Sequence, residues 1–562
     1  MRWTLKAQPE EEKVAYLANV LQVDRLVACL LLQRSIENYE EAKEFFRPQL
    51  SALHDPFLMK DMSEAVDRIQ SAIKAGENIL IYGDYDVDGT TAVSLLSSYL
   101  LEKYPNVATY IPDRYAEGYG VSVQGIDFAH DNDISLIIAL DCGIKALEQV
   151  AYAKERGIDF IICDHHRPGE KLPDAVAILD PKREDDHYPY KELCGCGIGF
   201  KLIQALGGVW GEDMHDLMPY LDLVVVAIAA DIVPITGENR ILAHHGLEVI
   251  NSRPRPGIKA ITGFIDKKEL SITDVVFIIA PRINAAGRMK HGLHAVELLM
   301  ERNFEKAVNF ASAIEAYNTE RKGLDQRITA EALQQISDNK EEKRFTSVVY
   351  KEDWHKGVIG IVASRLIETY YRPTLVFTKS GDRLAASARS IKGFDLYNAL
   401  QDCSDSLEQF GGHKYAAGLT LMEEQFEEFK QKFEGVVERT INPEILSPEI
   451  KVDAEIPLRC ISPRLVRILK QFGPFGPGNS AVVFLAIKLK DTGYARTVGT
   501  EKKHLKLSIT QGDGSVFPAI GFNLGHKLRN VAKGQFFDAV FTIEENEWNG
   551  KKSIQLKIKD LR

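Results

Sequence analysis

The sequence predicts an α/β protein with two lobes, a long connector helix between them and a small β-barrel at the C-terminal end. Three observations carry this reading. From Ser63 to about residue 300, apolar strand-like runs alternate with helical segments, the pattern of a parallel sheet. From Phe304 to about Ser337 one helical pattern runs without proline and with a single glycine, Gly323, which is long for a globular helix. Beyond the cluster Gly473-Pro474-Phe475-Gly476-Pro477-Gly478 come five short β-like runs in a basic segment, as in an OB-like barrel.

A chain of 562 residues is too long for one hydrophobic core. The expected divisions are a helical segment over 1–60, a catalytic domain over 61–300, the connector over 301–340, a second α/β domain over 341–445 and the barrel over 446–562. Net charge is −11, but its distribution matters more. From Lys451 onward there are 19 Lys+Arg and 10 Asp+Glu, a net +9, which leaves −20 on the rest. A basic tail on an acidic body fits a nucleic-acid partner better than the total does. No apolar run is long enough to span a bilayer, and MRWTLKAQPEEEK lacks the apolar core of a signal peptide, so the expectation is a cytoplasmic protein with no membrane partner. The seven cysteines form no paired CxxC zinc spacing; Cys194-Gly-Cys196 reads as small residues in a glycine-rich turn.

In chain order, Asn38 to Phe46 reads as a helix stopped before Pro48, and Ser63 to Lys74 as a helix leading into the first strand. Strands follow at Ile79–Tyr82, Val107–Ile111, Ser135–Leu140, Phe160–Cys163 and Ala175–Leu179, with a helix over Ala146–Arg156. Leu223 to Ala230 is apolar throughout, and periodicity leaves helix and strand open. The second domain shows strands at Thr346–Tyr350, Thr374–Thr378 and Leu384–Ala388, and helices at Val358–Tyr370 and Glu423–Thr440. The barrel strands are Val482–Leu489, His504–Thr510, Ser515–Phe522, Phe537–Ile543 and Ser553–Ile558, with a hairpin turn at Trp548-Asn549-Gly550.

The chemistry sits where apolar runs end. Ile79–Tyr82 runs into Gly83-Asp84-Tyr85-Asp86-Val87-Asp88-Gly89; alternation in an extended segment would point the three carboxylates one way. Ser135–Leu140 ends in Asp141, Phe160–Cys163 in Asp164-His165-His166, and Leu223–Ala230 in Asp231. One such Asp is an ordinary helix cap. Four, with a His pair, at the carboxyl ends where open sheets bind ligands, point to a metal centre. Carboxylates with one or two imidazoles and no thiolate suit Mn²⁺ or Mg²⁺. Several Asp with few neutral ligands suggest two ions sharing a carboxylate, which clamp a phosphoryl displacement.

GDYDVDG, LDCG, CDHH and AADIVP, in this order, resemble the signature of the DHH phosphoesterase superfamily, and Gly411-Gly412-His413-Lys414-Tyr415-Ala416-Ala417-Gly418 resembles the GGH motif of its DHH-associated domain. The resemblance implies a two-lobed DHH core (parallel-sheet lobe, connector helix, DHH-associated lobe) followed by an OB-like β-barrel. It implies metal ligands at Asp86, Asp88, Asp141, His165 and Asp231, with Asp84 as the first carboxylate of the motif and His166 contacting substrate or orienting the site. Asp141, His165 and His166 are the implied catalytic residues. Some relatives carry a further histidine where this chain has Tyr82, so that ligand is absent here.

The same resemblance implies a phosphate pocket and stacking residue at Arg114, Tyr119, Ser387 and Arg389, beside Gly411, Gly412 and His413. Arg282, Asn284 and Arg288, just before the connector, lie where a strand would pass between lobes. For any one Arg a surface ion pair is the commoner fate. In the barrel, Phe522, Phe537 and Trp548 are candidates for stacking on bases. The implied activity is metal-dependent 5′-to-3′ exonucleolytic hydrolysis of single-stranded DNA to 5′-mononucleotides in repair and recombination, by a monomer working beside a helicase and a single-strand-binding protein. A small-substrate phosphodiesterase needs no basic barrel, and a DNA-binding scaffold needs no mutually repelling carboxylates.

Overall fold

The computed structural model describes residues 1–562 apart from 513, 532–533, 549–550 and the side chains of 548 and 551. The chain forms two compact units. One comprises Thr4–Gly287, His291–Ser312 and Lys451–Arg562; the other Met1–Trp3, Arg288–Lys290 and Ala313–Ile450.

The larger unit is built on a five-stranded parallel sheet: β1 (Asn78–Gly83), β2 (Val107–Tyr110), β3 (Ile134–Leu140), β4 (Asp159–Cys163) and β5 (Ala177–Leu179), in the order β2-β1-β3-β4-β5. Ile79 to Tyr82 are fully buried, as in a parallel strand covered on both faces. Helix α1 (Val87–Leu101) follows β1 directly, α2 (Gly195–Trp210) carries the CGCG stretch, and α3 (Leu221–Ala230) and α4 (Gly237–Ser252) pack beside them. The run Leu223–Ala230 is therefore a helix, so Asp231 stands at a helix end, not a strand end. Its ten residues are almost all buried, which explains why it shows no amphipathic period.

Residues 11–46 form three helices, Glu11–Leu21, Arg25–Leu32 and Tyr39–Phe46. They carry no chemistry and instead share one core with the barrel: Leu17, Leu30 and Leu31 pack in the same cluster as Phe472, Phe484 and Phe541. The barrel strands are β11 (Phe484–Asp491), β12 (His504–Thr510), β13 (Val516–Gly521), β14 (Phe537–Trp548) and β15 (Lys551–Leu561). They run β11-β14-β15-β13-β12, and β11 pairs back onto β12 to close the ring. The expected turn falls on 549–550, which lie outside the described residues, as does the Trp548 side chain. Phe537 is 3% exposed and packs the barrel core, so it is not a stacking face.

The barrel is fastened to the sheet region by Arg240 of α4, whose guanidinium donates to the carbonyls of Phe45, Phe472, Gly473 and Pro474. No single helix among the described residues is long and apolar enough to cross a membrane.

The smaller unit has a five-stranded sheet in the order β9-β10-β8-β7-β6, formed by β6 (Ser347–Tyr350), β7 (Thr374–Ser380), β8 (Arg383–Arg389), β9 (Gln409–His413) and β10 (Ala416–Met422). Gly411-Gly412-His413 lies in edge strand β9. The long helix α6 (Phe304–Asp338) spans 35 residues. Its later turns are core rather than free connector: Ile328, Ala332 and Ile336 pack with Val349, Trp354 and Val376.

Candidate metal centre

The acidic motif after β1 does not stay extended. The strand stops at Gly83, and the chain turns so that Asp86 caps α1, its Oδ1 accepting from the Gly89 amide at 3.1 Å. Asp88 then lies in the first helical turn. The turn needs Gly89, because a Cβ there would stand 2.4 Å from the Asp84 carbonyl oxygen. This splits the three carboxylates. Ligand atoms of Asp84 and Asp86 gather with Asp141, whereas Asp88 gathers with His165 and Asp231.

His165 is the hub of the second group. Its Nε2 lies 3.1 Å from Asp141 Oδ1, 3.7 Å from Asp231 Oδ2 and 3.8 Å from Asp88 Oδ2. Ligand atoms around an ion with bonds of about 2.1 Å are about 3.0 Å apart in an octahedron and about 3.4 Å in a tetrahedron. Asp141 belongs to the first group, touches His165 of the second at 3.1 Å and also gathers with His165 and His166, so the set fits two ions sharing one carboxylate.

Two helix starts set the carboxylates. The amides of Gly195 and Cys196, at the N-terminus of α2, donate to Asp88 Oδ2 and Oδ1 at 2.6 and 2.7 Å. A Cβ on Gly195 would stand 2.5 Å from the Asp141 Cβ. The CGCG stretch is thus a cradle for two carboxylates, a role that spacing alone did not show. Asp141 itself has φ +59, and Ile232, next to Asp231, has φ +60; left-handed backbone in such residues is strain held at a site.

Burial, then Asp86, pushes the Asp88 pKa up to about 7; burial, then Asp88 and Asp86, pushes Asp231 up to about 8. Burial, then neighbouring carboxylates, raises Asp84 and Asp141 well above the usual range. Both Asp84 oxygens and Asp141 Oδ1 are buried without a well-formed hydrogen bond. His165 is pushed down to about 3 by burial and by His166, which keeps its imidazole neutral. Neutral imidazole and unsatisfied carboxylate oxygens are what a hard or borderline dication binds, so the residues fit Mn²⁺ or Mg²⁺.

Asp164 does a different job, one the sequence did not reveal. It accepts from the amides of Ile144, His165 and His166 and from His166 Nδ1 at 2.7 Å. Burial alone would raise its pKa, but these bonds hold it at about 2. Burial would lower that of His166, but Asp164 outweighs it and raises it. His166 Nε2 in turn lies 3.2 Å from the Tyr119 hydroxyl. The Tyr119 ring is 58% exposed and meets Tyr85 edge-on, and Arg114 stacks over Tyr85 at 3.9 Å. The Tyr82 hydroxyl donates to the Gly120 carbonyl and accepts from the Ser122 amide, anchoring the Tyr119 loop.

Arg282, Asn284 and Arg288 lie on α5 (Ala280–Met289), which touches the acidic loop through Gly287: a Cβ there would stand 2.6 Å from the Tyr85 carbonyl oxygen. Arg282 is 9% exposed and donates to the Ile278 carbonyl, and Arg288 donates to the Gly357 carbonyl.

In the smaller unit, Arg389 Nη1 donates to Ser387 Oγ at 3.2 Å. Gly360, in the first turn of α7 (Ile359–Tyr370), faces both; a Cβ on it would stand 2.8 Å from Ser387 Oγ and 3.0 Å from Arg389 Nη2. Burial lowers the Arg389 pKa, and no carboxylate pairs with it among the described residues. Register places Gly411 opposite Gly418 and Gly418 opposite Ser387, so the GGH strand runs along the same pocket. A helix start, a guanidinium and a hydroxyl make a pocket for an anion.

A parallel sheet whose carboxyl ends deliver five aspartates and a histidine pair defines a metal-dependent phosphoesterase of the DHH class. Residues 78–228 match the DHH family N-terminal domain, 342–439 the DHHA1 domain and 452–560 the RecJ OB domain. The chain is 37% identical over 567 residues to the single-stranded-DNA-specific exonuclease RecJ of Bacillus subtilis, covering all of this chain and 70% of that one. It is 32% identical to that of Escherichia coli, covering 90% of each. The crystal structure of RecJ with Mn²⁺ from Thermus thermophilus superposes with a TM-score of 0.86 at 26% identity, over all of this chain and 79% of that one. The chain belongs to the RecJ family.

Proposed function

We propose that the protein is a metal-dependent exonuclease that degrades single-stranded DNA from its 5′ end to 5′-mononucleotides. The observation that carries this is the pair of ligand groups joined by the 3.1 Å contact of Asp141 with His165, in a chain whose relatives are named single-stranded-DNA-specific exonucleases. Asp84, Asp86 and Asp141 would hold one ion, and Asp88, Asp141, His165 and Asp231 the other. When bound, Mn²⁺ or Mg²⁺ supplies a water of lowered pKa and positive charge against the phosphodiester. Asp164 fixes the His166 ring, so that Nε2 presents a hydrogen bond toward substrate beside Tyr119. The exposed Tyr119 ring offers a face to a base.

An exonuclease must recognise an end. Ser387, Arg389 and the start of α7 suit the terminal 5′-phosphate, because an arginine fork matches phosphate oxygens and keeps its charge. The barrel supports single-strand binding with exposed aromatics that each carry a cation. Lys490 lies 4.1 Å over Phe536, Arg496 4.8 Å over Tyr494 and Lys557 5.6 Å over Phe522. Each pair offers one face for a base and one charge for a phosphate.

An enzyme confined to single strands depends on a helicase to expose them and meets single-strand-binding protein on them. We place it beside both, as a cytoplasmic monomer in repair and recombination. The test is digestion of single strands labelled at either end, with Mn²⁺ and with excess EDTA. Mononucleotides released first from the 5′ end, and only with metal, are expected. Release from the 3′ end, or turnover in EDTA, overturns the reading.

A further inference from the structure

Helix α4 carries a second set of metal-ligating side chains with a different donor chemistry. His244, His245 and Glu248 are spaced three and four residues apart, which brings them to one face of the helix. His244 Nε2 lies 3.5 Å from Glu248 Oε1, and His245 Nδ1 lies 2.9 Å from Glu248 Oε2. The two rings meet edge-to-face at 5.1 Å. The other nitrogen of His245, Nε2, lies 3.2 Å from the Pro48 carbonyl oxygen.

That last contact decides the chemistry. A carbonyl oxygen only accepts, so His245 Nε2 carries the proton. In a neutral imidazole Nδ1 is then a bare lone pair, and it faces a carboxylate oxygen. Two acceptors at 2.9 Å repel unless something positive lies between them. A proton on Nδ1 would satisfy the His245–Glu248 pair and leave out His244, whose Nε2 lies 3.5 Å from Glu248 Oε1. A metal ion would satisfy His245, Glu248 and His244 together, since one ligand atom of each lies within 4.8 Å of the others.

We infer that His244, His245 and Glu248 form a transition-metal site, of the class filled by Zn²⁺. Two imidazoles and one carboxylate suit Zn²⁺, Co²⁺, Ni²⁺ or Cu²⁺, whereas Mg²⁺ and Mn²⁺ favour oxygen donors. His244 and Glu248 are partly exposed, at 36% and 57%. Small rotations of both bring the donors to the separation of about 3.4 Å that a tetrahedral shell with 2.1 Å bonds requires, with water completing it. Arg240, one turn earlier, opposes a cation at His244, but its guanidinium is engaged by backbone carbonyls and Glu248 offsets it. An ion on Nδ1 polarises the ring and strengthens the bond from Nε2–H to Pro48. Filling the site therefore fastens the segment after the Tyr39–Phe46 helix onto α4.

The test uses the full chain in excess Mg²⁺, which competes for the oxygen-rich centre. Co²⁺ is titrated by its visible absorption, and thermal unfolding is followed with and without Zn²⁺. Wild type and Asp141→Asn, which disables the carboxylate centre, are both expected to bind Co²⁺ at this site. His244→Ala and Glu248→Gln should weaken that binding at least tenfold and abolish the Zn²⁺-induced rise in unfolding temperature. Both variants should keep wild-type Mn²⁺-dependent nuclease activity, which shows that they fold. Unchanged Co²⁺ stoichiometry and affinity in the two variants, or no Co²⁺ bound by Asp141→Asn, overturns the assignment.

Discussion

Gly195→Ala is the sharpest test of how the carboxylates are held. The new Cβ would stand 2.5 Å from the Asp141 Cβ and 2.8 Å from its Oδ1. Carbon atoms rest at about 3.5–4.0 Å, so Asp141 or the start of α2 must shift by about 1 Å. Neither move is free. Asp141 already sits in left-handed backbone, and a displaced α2 withdraws the two amides that hold Asp88. Overpacking of this kind costs about 1–3 kcal/mol of stability. A misplacement of about 1 Å in a reacting group costs on the order of a hundredfold in rate. The expected outcome is a fall in turnover of that order, with Mn²⁺ affinity weakened roughly tenfold or more when read directly by calorimetry. Gly208→Ala, on the same helix, is the control: nothing lies within 4 Å of its added Cβ. It should be neutral, or stabilising by up to about 1 kcal/mol. A Gly195→Ala enzyme with wild-type metal affinity and rate would refute the claim that this glycine sets the shared carboxylate.

Four other outcomes are expected. Asp141→Asn and His165→Ala should each lose activity while keeping the fold, checked by circular dichroism beside a nuclease assay. Arg389→Ala should bring the preference for a 5′-phosphate over a 5′-hydroxyl down ten- to a hundredfold, the value of about 1.5–3 kcal/mol for a charged hydrogen bond; a wild-type ratio would show that the phosphate pocket lies elsewhere. Phe536→Ala should weaken binding to long single strands by about 1–3 kcal/mol without changing its salt dependence, whereas Lys490→Ala should lower the salt slope by about 0.7. Arg240→Ala strands the carbonyls of Phe45, Phe472 and Gly473 and should cost about 3 kcal/mol of unfolding free energy in urea titrations.

What was legible in the sequence follows from which interactions are local. Strand-to-helix alternation and the acidic residues that end each run are written in consecutive residues, so the parallel sheet and its ligand-bearing edge could be read directly. The length of α6 was legible too, since no proline interrupts it, but its packing role was not, because Ile328, Ala332 and Ile336 meet partners far away in the chain. The acidic motif misled for a physical reason. Alternation assumes an extended chain, and Gly89 lets the chain turn into α1 between Asp84 and Asp88, which sends the carboxylates to two groups instead of one. Asp164 and the CGCG stretch were obscure because their work is done through backbone amides, which every residue possesses. Phe537 and Phe522 look alike in sequence, but strand register buries the first while the second stays half exposed. The candidate metal centre is thus legible as a list of residues, whereas its division into separate ligand groups depends on one glycine turn and one helix start, and substitutions at Gly89 and Gly195 should perturb metal binding although neither side chain offers a ligand atom.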